Sequence, residues 1–256
     1  MTRLHAGVLL ALLGAAFNIS VASAQTESTP TPESTPAPKR SSIDWHNGRG
    51  AEYFVAGDYL FTTNSRNEFN QFGTNDHNSF AGRAAVEYPI GKLAVMAEGT
   101  YDHYQYFHQA GNVQTIGGGQ AFVPSFYAHN TDWDGRVGVG LQYPRVFLVA
   151  SYGQRSNNYG YPHLQGFGFG VEKLPDFNEK IVSFFGSYLW YPQMGAGNAL
   201  QYGMFKYQAG LEMHVRASHI PAFLEVGYMG DYAYNKIHAP TNVQDNGVFA
   251  GLGVHF

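Results

Sequence analysis

The last ten residues of the chain alternate without interruption, and this pattern restricts the fold more than any other feature. In residues 247–256 one face carries Val248, Ala250, Leu252, Val254 and Phe256, and the other carries Gly247, Phe249, Gly251, Gly253 and His255. A period of two is the signature of an extended strand with two different environments. Residues 222–231 repeat it, with Leu224, Val226 and Tyr228 against Glu225, Gly227, Met229 and Asp231. So do residues 204–215, with Phe205, Tyr207, Ala209, Leu211 and Met213 against Lys206, Gln208, Gly210, Glu212 and His214. Further candidate strands lie near 51–62, 80–89, 92–104, 132–143, 146–155, 165–173 and 180–191, which brings the count to ten. No later stretch approaches the roughly 18 consecutive apolar residues of a helical span.

Turn spacing orders these strands. Tyr88-Pro89-Ile90-Gly91 and Tyr143-Pro144-Arg145 are short connections, and 174–178 and 217–221 are slightly longer. Long polar segments lie between them, at 63–79, 105–131, 156–164, 192–201 and 234–246. Short turns alternating with long loops predict an up-and-down antiparallel barrel with two unlike ends. Within 105–131, residues 113–116 and 121–127 could form a further hairpin. The Gly117–Gly119 run and Pro124 favour a loop or an extension above the wall. Ten strands is the expectation, with eight and twelve as alternatives.

The distribution of charge decides which face points inward. In a soluble barrel the apolar face fills the interior, whereas here the glycine-bearing face also carries most of the charge. A charge facing lipid costs about 2–4 kcal/mol near the midplane, so the charged face belongs inside and the aliphatic and aromatic face outside. Alternation then places Asp58, Arg83, Glu87, Glu98, Asp102, Asp134, Arg136, Lys206, Glu212, His214, Glu225 and Asp231 in the lumen. Acids outnumber bases there. Arg83, Arg136 and Lys206 are each expected to bridge several carboxylates and plug a narrow interior; the alternative is a path that favours cations.

The first residues predict export. Arg3 is a positive n-region, 6–17 is an apolar run broken by Asn18 and Ser20, and Ala22-Ser23-Ala24 is a small-residue cleavage site. The expected division is a signal peptide at 1–24, a Pro/Ser/Thr-rich disordered linker at 25–48, and a transmembrane β-barrel at 49–256. The chain has no cysteine, so disulfides and thiolate metal sites are excluded. A net charge of −4 gives no footprint for a phosphate backbone, and nucleic acid is not an expected partner.

A leader, alternating strands and a closing strand ending Gly251-Leu252-Gly253-Val254-His255-Phe256 resemble the small outer-membrane barrels of Gram-negative bacteria, the OmpA, OmpX and opacity-protein class. The resemblance covers about 50–256 and implies a location in the bacterial outer membrane. It also implies contact with outer-membrane lipid, insertion by the barrel-assembly machinery, and roles from structural barrel to adhesin to narrow pore. In that class Gly251, Leu252, Val254 and Phe256 are the kind of residues that form the assembly signal.

Motifs that could carry chemistry are sparse. Asp132-Trp133-Asp134 and Asp102-His103 sit near the outer ends of consecutive candidate strands, where ten-strand omptin proteases place Asp pairs and an Asp-His pair. Alternation puts Asp102 and His103 on opposite faces, beyond the mutual reach that general acid-base work needs. A lipid-modifying His/Ser barrel has no recognisable motif either, so no catalytic residues are expected. His77, His103, His108, His129, His163 and His238 gather at the outer end, but no close ligand pair shares an element; no metal and no cofactor is expected. Gly166, Gly168 and Gly170 between Phe167 and Phe169 read as a strand beside a narrow interior. The aromatic cluster of Tyr104, Tyr106, Phe107, Phe122, Phe126 and Tyr127 is expected to meet extracellular ligands, because function collects on loops held by a rigid scaffold.

Overall fold

Period-two alternation with turns of few residues can satisfy every backbone group only if each strand pairs with its sequence neighbours and the last returns to the first. The structure, a computed structural model, describes residues 50–66, 73–74, 78–108, 113–116, 119–122, 124–159, 162–176, 181–196, 199–215, 221–236 and 242–256. The expected leader and linker lie outside the described residues. The wall consists of ten antiparallel strands: β1 (Glu52–Arg66), β2 (Phe80–Ile90), β3 (Leu93–His108), β4 (Phe126–Leu141), β5 (Val146–Asn157), β6 (Leu164–Lys173), β7 (Val182–Ala196), β8 (Ala199–His214), β9 (Ala222–Asn235) and β10 (Val243–His255). Each pairs with the next, and β10 pairs with β1, which closes the ring.

The seam runs from Phe54 opposite His255 to Arg66 opposite Gln244, with one register shift between Leu60 and Thr62. Phe256 extends it: its N–H donates to Tyr53 O at 2.8 Å, and Tyr53 N–H donates to Phe256 O at 3.1 Å. At the short turns, Gly91 and Arg145 both take φ near +65°. Glycine does so without penalty; arginine does so against the Cβ clash that disfavours the left-handed region.

The strands run beyond the expected limits at the long-loop end. β1 continues to Arg66, β3 to His108 and β9 to Asn235, while β4 begins at Phe126 and β10 at Val243. The segment expected as a loop at 192–201 is mostly wall, from β7 through Ala196 and β8 from Ala199. Alternation of apolar with polar residues fades where the outer face leaves lipid, but backbone pairing does not. Val113–Ile116 and Gly119–Phe122 form a separate two-stranded hairpin outside the ring, and Gly73–Thr74 pairs with the end of β1.

Apolar residues cover the outside. Val55, Val137, Val139, Leu148, Leu252 and Phe256 are at least half exposed, and outward-facing aromatics form chains of ring contacts, among them Phe169–Trp190–Phe205–Tyr234. Inside, large side chains fold over glycines. Tyr191 lies where a Cβ on Gly153 or Gly168 would sit, at 2.9 Å and 2.6 Å, and Phe185 stands 2.6 Å from the corresponding point on Gly210. The glycine face is therefore the narrow-interior face. The lumen is less polar than alternation suggested: Phe54, Phe147, Phe185, Phe223 and Phe249 are all buried in it, together with Met96, Met204 and Met229.

Candidate functional site

Alternation aims one side chain in two from every strand into a space narrow enough for opposite walls to touch, and most of the charge meets there. Asp58, Arg83, Glu87, Glu98, Asp102, Asp134, Arg136, Lys206, Glu212, Glu225 and Asp231 are all buried, and His214 is half-buried beside His255, ring centroids 5.2 Å apart. Residues the sequence reading left out join them: Asp132, Arg145, Arg155, Glu172 and Asp245. Asp132 and Glu172 share the parity of Asp134 and Gly170 and were open to the same argument. Arg145 lies in a turn and Asp245 in a segment read as loop, so no parity applied to them.

Among the described residues, five cations organise the interior. From the β4–β5 turn, Arg145 reaches Glu52 at 2.9 Å and, through Nε, Glu87 at 2.7 Å. Arg83 on β2 pairs with Glu225 on β9 and lies over the rings of Phe54 and Phe185, 4.8 Å and 4.1 Å from their centroids. It was expected to bridge several carboxylates; it holds one, because aromatic faces occupy its other approaches. Arg136 on β4 binds its own neighbour Asp134 and reaches Glu172 at 3.2 Å and Glu98 at 3.6 Å. Lys206 on β8 crosses to Asp134 on β4 and to Asp102 on β3, the latter at 2.6 Å. Thr100 completes that knot, accepting from Lys206 at 3.1 Å and donating to Asp134 at 2.6 Å.

Nearest the outer mouth, Asp231 stands directly opposite Asp245 in the β9–β10 ladder, and Asp132 opposite Arg155 in the β4–β5 ladder. Like charges directly opposite repel. Arg155 resolves this by reaching across to bind Asp231 and Asp245 while holding Asp132 at 3.0 Å. Asn130 donates to Asp245 at 2.6 Å, and the Tyr159 hydroxyl donates to Asn130. Burial disfavours the charged phenolate and raises the Tyr159 pKa well above its ordinary value.

Acids outnumber cations among the buried wall residues, and Glu212 is fully buried with neither carboxylate oxygen hydrogen-bonded by a described residue. In so enclosed a space each carboxylate left without a partner carries a desolvation cost. Among the described residues, Asp58, Arg83, Thr100, Arg136 and Lys206 help to line a cavity of about 10 Å³, near the lower limit for one water.

The motifs weighed for chemistry are dispersed. Asp102 is buried in the lumen while His103 is half-exposed outside, where its ring stands 5.4 Å from His129 and 3.1 Å separates its Nδ1 from the Thr131 hydroxyl. Asp132 and Asp134 are both engaged by cations. Among the described residues no group of three or more His, Asp or Glu is arranged to hold a metal. His77, His238 and the side chains of His108 and Phe122 lie outside the described residues. Of the aromatic cluster, Tyr104 and Tyr106 turn inward and are buried, whereas Phe107 and Tyr127 face out with centroids 5.2 Å apart.

No protein-family profile matches the chain, and no curated protein matches it. Solved structures similar to it include Neisserial surface protein A (14% identity, 81% of this chain and 100% of that one, TM-score 0.31). The outer membrane protease OmpT from Escherichia coli is similar at 8% identity, over 81% of this chain and 94% of that one, TM-score 0.35. The P. putida toluene transporter TodX follows at 8% identity, 83% and 92% coverage, and TM-score 0.23. The barrel assignment rests on the closed ring itself.

Proposed function

We propose that this chain is a bacterial outer-membrane β-barrel with a closed interior, acting as a structural or surface-binding protein through the outer ends of its strands and the loops between them. One observation carries the reading: Lys206 and Arg155 each span the lumen to carboxylates on the far wall, in an interior packed with aromatic side chains. A cross-braced lumen suits a scaffold for an exposed surface better than a conduit. The separation of Asp102 from His103 supports a role without catalysis. The outward ring of Phe256, 71% exposed at the seam, supports its reading, with Gly251, Leu252 and Val254, as the signal taken up by the barrel-assembly machinery.

The test is conductance of the purified barrel in planar bilayers, for which little or no steady current is expected. The surplus of buried acids favours a second reading, a narrow cation-favouring pore. A steady cation-selective current from the unaltered protein selects it. Cell fractionation and the mobility difference between unheated and boiled samples test location and closure; recovery as a soluble protein overturns the membrane reading.

A further inference from the structure

A cleft of about 240 Å³ opens on the outside of the wall, away from the charged lumen. Its walls are Trp133 and Thr131 from β4 and Gln165 and His163 from β6 and the residue before it, and its floor is Gln154 and Ser156 from β5. The register makes this one surface: Trp133 pairs with Gln154 and Gln154 with Gln165, and Thr131 pairs with Ser156 in the row above. All of them point outward, because the residues between them, Asp132, Arg155 and Leu164, are buried inside.

Two further observations say what the cleft suits. From the Trp133 ring on its wall an outer aromatic belt continues beneath it through Tyr152 and Phe167, with centroids 6.1 Å and 5.0 Å apart, and the Tyr152 hydroxyl donates to Gln165 Oε1 at 3.2 Å. Aromatic belts of this kind sit at the headgroup level of a bilayer. The cleft thus opens where apolar wall gives way to polar wall, on the side facing lipid. The second observation is its charge. Among the described residues no carboxylate lines it, and the one arginine or lysine in its lining, Arg155, is committed to three acids in the lumen. What remains is two carboxamides, an imidazole, an indole face and two hydroxyls, with Thr131 Oγ1 3.1 Å from His103 Nδ1 and Ser156 Oγ donating to Thr131 O at 3.4 Å: groups that both donate and accept beside an apolar plane. That set matches an uncharged polyhydroxyl ring, whose hydroxyls need partners of both kinds and whose C–H face packs on an aromatic. Among the described residues it offers no lysine or uncommitted arginine to neutralise a phosphate.

We infer that this cleft binds the sugar headgroup of a membrane glycolipid, with Trp133 as the stacking platform and Gln154 and Gln165 as the hydrogen-bonding pair. It stands apart from the closed lumen, so the conductance result does not bear on it.

The test uses the folded barrel carrying Trp45→Phe and Trp190→Phe, so that Trp133 is the sole tryptophan, in phosphatidylcholine vesicles containing digalactosyl diacylglycerol. A saturable change in Trp133 emission is expected, and Gln154→Ala or Gln165→Ala should weaken half-saturation at least fivefold. Both glutamines face outward, and the gel-mobility difference confirms that each variant is folded. Absence of a saturable change, or the same change with sugarless diacylglycerol, overturns the proposal. So does an equal response to phosphatidylglycerol, which assigns the cleft to an anionic headgroup. Saturation by a free digalactoside at equal or lower concentration overturns the membrane source.

Discussion

Arg155 on β5 holds Asp245 on β10, five places away in a ring of ten, so this ion pair is a diameter of the barrel. Because Asp231 stands beside Asp245, one guanidinium also keeps two facing carboxylates together at the outer mouth. Arg155→Ala leaves three buried acids without their cation and should lower stability by roughly 3–5 kcal/mol. Guanidinium titration of the folded gel species measures it. Adding Asp245→Asn to the same variant should recover part of the loss.

Opening the middle of the lumen should create current. Arg136→Ala with Lys206→Met removes the cations that tie Asp134 to Glu98, Glu172 and Asp102. In planar bilayers this double variant should show discrete openings where the parent is expected to show little or none, and they should favour cations because the carboxylates remain. An anion-selective current would contradict the inward placement of the acids.

The aromatic filling depends on missing side chains opposite it. Gly168→Val places branched carbon inside the Tyr191 ring, whose nearest atom already lies 2.6 Å from the Cβ position. Overpacking of this kind typically costs about 1–3 kcal/mol. Folded yield should fall, and Tyr191→Ala in the same chain should restore it.

Arg145 combines a positive φ with a side chain anchored to Glu52 and Glu87. Both Arg145→Ala and Arg145→Gly lose the anchors, but only alanine keeps the backbone penalty. The alanine variant should therefore unfold at lower denaturant, by about 1 kcal/mol.

Deleting Phe256 removes an outward ring and the two backbone hydrogen bonds that extend the seam to Tyr53. Inserted yield should drop, with periplasmic aggregate or fragments detected by fractionation and immunoblot. Normal insertion would show the ending to be ordinary strand sequence.

Much of this was legible because lipid and lumen impose opposite demands on neighbouring residues. In β8, β9 and β10 the charged and glycine positions of the alternation are the inward ones, and Glu212 and Glu225 could be placed from parity alone. The outer third of the wall was harder to read, because His103, Thr131, Gln154 and Ser156 face out while being polar, which erases the contrast on which parity depends. The lumen's aromatic filling was underestimated for a related reason: Phe185 and Phe223 are buried among charges, and their place is set by gaps at Gly210 and Gly253 on other strands. Such complementarity is a property of pairs of strands. The Arg145 and Asp245 contacts came from a turn and a presumed loop, where no periodicity operates.

The braces across the lumen also act as a gauge of alignment. If β10 slid past β1 by two residues, every side chain would keep its proper face, and lipid could not distinguish the slipped barrel from the native one. The slip would nevertheless carry Asp245 about 7 Å along the strand, beyond the grasp of Arg155. Salt bridges that span the lumen can thus also determine which of several equally greasy rings is formed.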